Sequence, residues 1–361
     1  AGRAGIMGDR AGNWAVQNSD VLLSVGSRLS IRQTGYSWDT WAKNAYTIVE
    51  DIDPQELKKP SIHVDFPVWA DAYDFLSALN RNIQKVQDRQ RQIWAGQCRA
   101  WRSQYPVVQQ EHMQQHEPVN VYAFIRKLSE SLAEGSIVVA ANGSASVAGS
   151  QAFVIKPHQR FILNSGAASM GYGLPAAVGA CIAAGRTQVI CITGDGSIQM
   201  NLQELQTIIH HQLPILIFVI NNGGYHSIRQ TQKQYFKGPL AGVGTDSGDL
   251  SFPSMERLAG AYGYPYVSIK NTAQLDGIAA LVKTEGCLIC EVFVDTKQRF
   301  EPKSSSERLP DGQMVSLPLE DLAPRLPKSE LEAIMQAGAD GMQGTKGSPP
   351  NKDGQMRSLE P

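Results

Sequence analysis

The chain has 361 residues, 42% hydrophobic and 19% charged, enough apolar sequence to bury the cores of two domains. Its net charge of −1 leaves no electrostatic footprint for nucleic acid or an anionic membrane surface, and no apolar run reaches the length of a membrane span. The five cysteines are scattered and the amino terminus has no basic region followed by an apolar core, so the expected setting is reducing and cytoplasmic.

In chain order, Asn13–Asn18 has helical spacing, and Asp20–Val25 reads as a strand ending in Gly26-Ser27-Arg28. Tyr46–Glu50 is a second strand, followed by Asp51-Ile-Asp-Pro54, and Ile62–Val64 is expected as a third before a helix over Asp71–Leu79. This alternation predicts a small α/β domain over residues 1–82 that lacks its first strand. Residues 83–116, rich in Gln and Arg with Trp94, Trp101 and Tyr105, read as a solvated helix and linker.

A second α/β domain is expected over 117–326. Its strands are Ser136–Ala140, Phe161–Leu163, Val189–Thr193, Pro214–Ile220, Tyr266–Ile269 and Cys287–Asp295, with helices over Val119–Ala133, Ile198–His211, Ser254–Tyr262 and Ala273–Lys283. The fold class is therefore α/β, two doubly wound parallel sheets, with ligands expected at the carboxyl ends of the strands. Cys287 and Cys290 have redox spacing but sit in the strand-like run CLICEVFVD, which favours core packing over thiol chemistry. From 327 to 361, Gly, Ser, Pro, Lys and Gln come to dominate, and a disordered tail is expected.

The stretch that organises the second domain is Gly194-Asp195-Gly196-Ser197, then a spacer of 24 residues (197–220), then Asn221-Asn222. A strand–helix–strand unit of this length is a right-handed crossover, which puts both strand ends on one edge of the sheet. Asp195 and Asn222 should then be neighbours in space. One carboxylate, one amide oxygen and nearby carbonyls make a hard-oxygen site that suits Mg²⁺ when a phosphate supplies further oxygens. Taken singly, Asp195 also fits a helix cap and Asn222 a turn.

GDGS, the spacer and NN together resemble the diphosphate-binding signature of thiamine diphosphate enzymes, and residues 8–325 are similar to the acetolactate synthase-like group. The resemblance implies thiamine diphosphate and Mg²⁺ as cofactors, with Asp195, Asn222 and the Gly224 carbonyl as metal ligands. It places Asn142, Gly143, Ser144, Ser169, Met170, Gly194, Gly196, Ser197 and Tyr225 around the cofactor, with Met170 as the apolar prop that bends it. His226 is the residue in reach for proton transfer, beside the alternative of a packed loop histidine.

The stretches AGNWAVQNSDVLLSVGSRLSIRQTG, VEDIDPQELKK and VWADA resemble the central domain of the same group, where flavin-containing members hold FAD. Arg28, Arg32, Asp51 and Asp71 occupy the matching positions, although many relatives keep this domain without flavin. The implied reaction is decarboxylation of a 2-oxo acid followed by carboligation. It requires a glutamate from a pyrimidine-binding domain, expected here as a preceding segment or a partner subunit in a homo- or hetero-oligomer. Alternative readings are a cofactor-binding subunit without turnover and a non-ligating 2-oxo acid decarboxylase. A nicotinamide oxidoreductase is weakened by the lack of a Gly-x-Gly-x-x-Gly loop opening a helix after a strand.

Overall fold

The computed structural model describes residues 1–83, 89–236, 238–340 and 357–358, and the chain divides into two compact units. The first unit comprises residues 1–107 with the described residues from 301 onward; the second is Val108–Phe300.

In the first unit, β1 (Val21–Val25), β2 (Tyr46–Asp51) and β3 (Phe66–Trp69) form a parallel sheet in that order, and Arg357–Ser358 pairs alongside β3. The third strand begins four residues later than the Ile62–Val64 expected from the sequence. Ile62 is buried with Val49 and Leu57 in the core under the sheet. Thr47 latches the segment between: its hydroxyl donates to the His63 carbonyl at 2.8 Å, and its amide donates to the Asp65 carboxylate at 2.8 Å. Regular pairing resumes only after this side-chain latch, at Phe66.

The stretch read as a solvated linker also differs. Arg89–Gln104 is a helix whose Trp94, Cys98 and Trp101 pack with Trp14 of the Arg10–Gln17 helix, and Trp101 is only 2% exposed. Three edge-to-face aromatic pairs tie this cluster together, Trp14 meeting Trp101 and Tyr105, and Trp94 meeting Trp101. The region expected as tail contributes to the same core. Lys328–Asp340 is a helix whose Ile334 is buried there, and Glu330 accepts the Tyr105 hydroxyl at 2.5 Å. The rest of the expected tail, 341–356 and 359–361, lies outside the described residues.

The second unit holds a six-stranded sheet, all parallel, in the order β5-β4-β6-β7-β9-β8. Its strands are β4 (Ile137–Ala140), β5 (Arg160–Leu163), β6 (Val189–Gly194), β7 (Ile215–Asn221), β8 (Tyr266–Ile269) and β9 (Leu288–Phe293). β6 and β7 are apolar on both faces because both are covered. Ile215, Ile217 and Val219 face a core shared with Leu174, Leu205 and Met255, while Phe218, of opposite parity, meets Phe124 of the Val121–Ser131 helix with ring centroids 5.8 Å apart. Cys290 is buried in β9, where loss of solvent pushes its thiol up to about 12, so the CLIC spacing is core packing.

The order reverses between β4 and β6: the chain leaves β4 toward β5 on one side, then adds β6 on the other and continues to β7. A crevice opens at the carboxyl edge of a sheet at such a switch point. The loops that follow β4, β6 and β7 carry Asn142–Ser144, Asp195–Ser197 and Asn222–His226 to that edge.

Candidate metal and diphosphate site

The turn after β6 tightens at once into a short helix, Asp195–Ile198, followed by a 3₁₀ turn over Gln199–Asn201 and a second helix over Glu204–His210. The single helix expected over Ile198–His211 is thus broken near its start. The break keeps Asp195 at the edge of the sheet. Its Oδ1 accepts the Gly196 amide and its Oδ2 the Gly224 amide, each at 2.9 Å. Asp195 is 4% exposed, and burial pushes its carboxyl up to about 7 even though the amides of Gly196, Gly224 and Gly223 and the charge of Arg229 work in the other direction. A buried carboxylate raised this far favours its neutral form, and a cation beside it would reverse that preference.

Asn222 lies in the loop after β7 whose Gly224 amide Asp195 accepts. Its amide nitrogen donates to Ser144 Oγ at 2.7 Å, which turns its Oδ1 the other way, and that oxygen is buried without a hydrogen-bond partner. Asn142 Oδ1, after β4, is likewise buried and unpartnered. Native proteins satisfy nearly all such atoms, so two orphan acceptors beside a strained carboxylate mark a place for a ligand. Among the described residues no three His, Cys, Asp or Glu side chains gather as metal donors, so a cation here draws on one carboxylate, amide oxygen and carbonyls. That donor set suits Mg²⁺ rather than zinc.

The other predicted positions fall around this point. Ser197 Oγ accepts the Gly171 amide at 3.0 Å, joining the turn after β6 to the Ser169–Met170 stretch after β5. Ser169 and Met170 are exposed, and Asn164 Nδ2 lies 3.4 Å from Ser169 Oγ. Gly143 and Gly194 have open space where a side chain would stand. Gly196 does not: a Cβ there would come within 2.5 Å of the Tyr225 ring, so the glycine is what allows Tyr225 to close over the turn. The Gly224 carbonyl accepts the His226 amide at 3.1 Å.

His226 itself is 5% exposed. Its Nε2 meets the Gln298 carbonyl at 2.7 Å and its ring packs edge-on against Phe300, with burial pulling its imidazole below the ordinary range. It braces the start of the His226–Tyr235 helix.

The first unit's predicted residues share the carboxyl edge of their own sheet. Arg28 follows β1 with a positive φ of 59° and pairs with Glu56 at 2.9 Å; Arg32 lies in the next helical turn, Ile31–Thr34. Asp51 ends β2 and accepts the Asp53 amide at 3.0 Å, while Asp71 follows β3 and caps the Ala72–Asn82 helix through the Tyr73 amide. Beside Asp51, Glu50 is 1% exposed with both carboxylate oxygens unpartnered.

Two groups escaped the sequence reading. Arg229 is 2% exposed and bonds the carbonyls of Asn222 and Gly223 as well as the Asp246 carboxylate. Glu291, in β9, accepts Asn221 Nδ2 at 2.7 Å and the Tyr266 hydroxyl at 2.5 Å. A lone glutamate inside the apolar run CLICEVFVD was a visible signal for the second. The helix position of Arg229, seven residues after Asn222, gave only a weak one.

Residues 141–292 match the family described as "Thiamine pyrophosphate enzyme, C-terminal TPP binding domain", and residues 1–79 match "Thiamine pyrophosphate enzyme, central domain". The chain belongs to the thiamine pyrophosphate enzymes. Thiamine pyrophosphate is the thiamine diphosphate of the sequence reading, and the matched C-terminal domain contains the three loops of the crevice.

Relatives of this thiamine pyrophosphate enzyme chain include acetolactate synthase large subunits. That of Cyanidium caldarium is 32% identical over 317 residues, covering 85% of this chain and 53% of the relative. The isozyme 2 large subunit of Escherichia coli K12 is 30% identical over 325 residues, 89% of this chain and 55% of the relative. The chain therefore spans about half the length of the curated relatives it matches. No helix among the described residues is long and apolar enough to cross a membrane.

Proposed function

We propose that this chain is a component of a thiamine diphosphate- and Mg²⁺-dependent 2-oxo acid decarboxylase and carboligase of the acetolactate synthase type, and that it holds the diphosphate end of the cofactor. The observation that carries this reading is the buried Asp195 carboxylate, in the turn after β6, bonded to the Gly224 amide of the neighbouring loop after β7 that also carries the unpartnered Asn222 Oδ1. Asp195, Asn222 and the Gly224 carbonyl hold the metal; Asn142, Gly143, Ser144 and Ser197 line the phosphate side; Met170 supports the cofactor's body from the loop after β5. When bound, the cofactor supplies the electron sink for decarboxylation. The protein contributes charge compensation by the metal, a dry floor on β6 and β7, and a fixed loop.

The proton transfer at the aminopyrimidine is assigned to a glutamate of a pyrimidine-binding domain or subunit acting in trans. His226, buried and engaged, is given a bracing role. The test is carbon dioxide release from pyruvate by the purified chain with and without a co-expressed pyrimidine-binding partner. Turnover only in the pair supports the reading, whereas robust turnover by the chain alone removes the split site.

A second reading, a cofactor-binding subunit without turnover, draws on the same burial of His226. Cofactor binding in the pair with no product from any 2-oxo acid would favour it. In the first unit, the gathering of Arg28, Asp51 and Asp71 at one sheet edge supports an FAD site, and a purified complex that is yellow and releases flavin on denaturation is the expected sign.

A further inference from the structure

The loop between β7 and the His226–Tyr235 helix has to hold Asn222 and Gly224 in fixed directions, yet it contains two consecutive glycines with positive φ, 69° at Gly223 and 128° at Gly224. Left to itself, such a sequence is the least constrained that a chain can have. Something outside the loop must fix it, and the bonds of Arg229 show what does.

A trans peptide is planar, with its C=O and N–H pointing in opposite directions, so gripping one end of the unit aims the other. Arg229 Nη2 donates to the Gly223 carbonyl at 2.9 Å. The opposite end of that same peptide is the Gly224 amide, which donates to Asp195 Oδ2 at 2.9 Å. Arg229 Nη1 donates to the Asn222 carbonyl at 3.1 Å, and the opposite end of that peptide, the Gly223 amide, donates to Asn221 Oδ1 at 3.1 Å. Asn221 is itself held by Glu291 at 2.7 Å. Two successive peptides are therefore clamped between one guanidinium on one side and Asp195 and Asn221 on the other.

The clamp has its own anchor. Nε and Nη2 of Arg229 grip Asp246 at 2.9–3.1 Å, from the loop whose Val243 carbonyl accepts the Tyr225 amide at 2.7 Å. A planar fork that serves two carbonyls and a carboxylate at once is a geometry lysine cannot reproduce. Gly244 completes the fit, since a Cβ there would fall 1.9 Å from the Gly223 carbonyl oxygen.

We propose that Arg229 is a positioning residue of the metal site: by clamping the Asn222–Gly223 and Gly223–Gly224 peptides it sets the direction of the Asp195 carboxylate and with it the affinity for the divalent cation. Asp246 anchors the clamp and so ties metal affinity to the 242–249 loop. This inference rests on the proposed metal site and adds to it a residue that touches neither metal nor cofactor.

The test uses the full chain with Mn²⁺ as the probe, in the presence of thiamine diphosphate, with bound Mn²⁺ counted by electron paramagnetic resonance and amide exchange followed over 222–225. Arg229→Lys keeps the positive charge near Asp195 but loses the fork, and should weaken Mn²⁺ binding about tenfold or more, the usual scale for a residue that orients a ligand. Exchange at 222–225 should rise in the same variant. With Arg229→Ala, added guanidinium ion at non-denaturing concentration should restore part of the Mn²⁺ affinity together with amide protection at 222–225, whereas recovered thermal stability without recovered affinity would overturn the positioning role. Equal Mn²⁺ affinity in wild type and Arg229→Lys overturns the clamp and leaves the metal site standing. Wild-type binding no stronger than that of Asp195→Ala overturns the metal site itself, and the function given to Arg229 with it.

Discussion

The Asp195 carboxylate accepts the backbone amide of Gly224 at 2.9 Å although the two residues are 29 positions apart. That bond closes the loop after β7 onto the turn after β6, bringing the residues of the proposed metal site to one point. Each remaining feature of the site, the orphan oxygen of Asn222 and the ring of Tyr225 included, is arranged around it.

The first consequence concerns pH. Without a cation, the folded Asp195 carboxyl is pushed from 3.8 up to about 7 by burial, so the folded state holds its proton more tightly than the unfolded chain does. The stability this group contributes is full below its unfolded value and is lost as pH rises toward 7. The melting temperature of the metal-free chain should therefore fall between these values, and Asp195→Asn should flatten the fall. A melting profile equally steep in wild type and Asp195→Asn would show that this carboxylate is not under strain.

Glu50 makes a parallel case in the first unit. Burial raises its carboxyl above the ordinary value and neither oxygen has a partner. Glu50→Gln should raise the melting temperature at neutral pH, by a stability on the order of 1 kcal/mol. A lower melting temperature at neutral pH would mean that the carboxylate has a stabilising role.

Gly196 is the tightest point under Tyr225. Gly196→Ala sets a methyl 2.5 Å from the ring and should cost roughly 1–3 kcal/mol while swinging Tyr225 off the turn. Thermal melting reads the first effect, and the weakening of thiamine diphosphate binding in calorimetry with Mg²⁺ present reads the second. Wild-type values for both would show that the turn has room the structure does not.

Much of this site was legible in the sequence because it is carried by short-range chemistry at strand ends. Apolar runs of β6 and β7, the glycines beside Asp195 and the Asn pair each specify local structure, and the handedness of the crossover brings them together. What stayed hidden depends on distant partners. Trp101 looked like an aromatic on a solvated helix because its contacts, Trp14 and Ile334, lie far away in the chain. β3 was displaced from Ile62 to Phe66 by the Thr47 latch, a side-chain bond that no periodicity reports. His226 stayed open between a reactive and a packed loop histidine because nothing local announced that Gln298 and Phe300 would cover it.

The core cluster around Trp101 gives a test of the first unit alone. Trp101→Ala removes a side chain 2% exposed and should destabilise that unit by about 3–5 kcal/mol. A cost below about 1 kcal/mol would return the helix to the role of a linker.

The central claim is that this chain holds a diphosphate through a divalent cation at Asp195 and Asn222. Isothermal titration of the full chain with thiamine diphosphate, with Mg²⁺ and with chelator, tests it most directly. The account predicts binding that needs Mg²⁺ and is abolished in Asp195→Ala; binding of equal strength in chelator, or unchanged in Asp195→Ala, would contradict it.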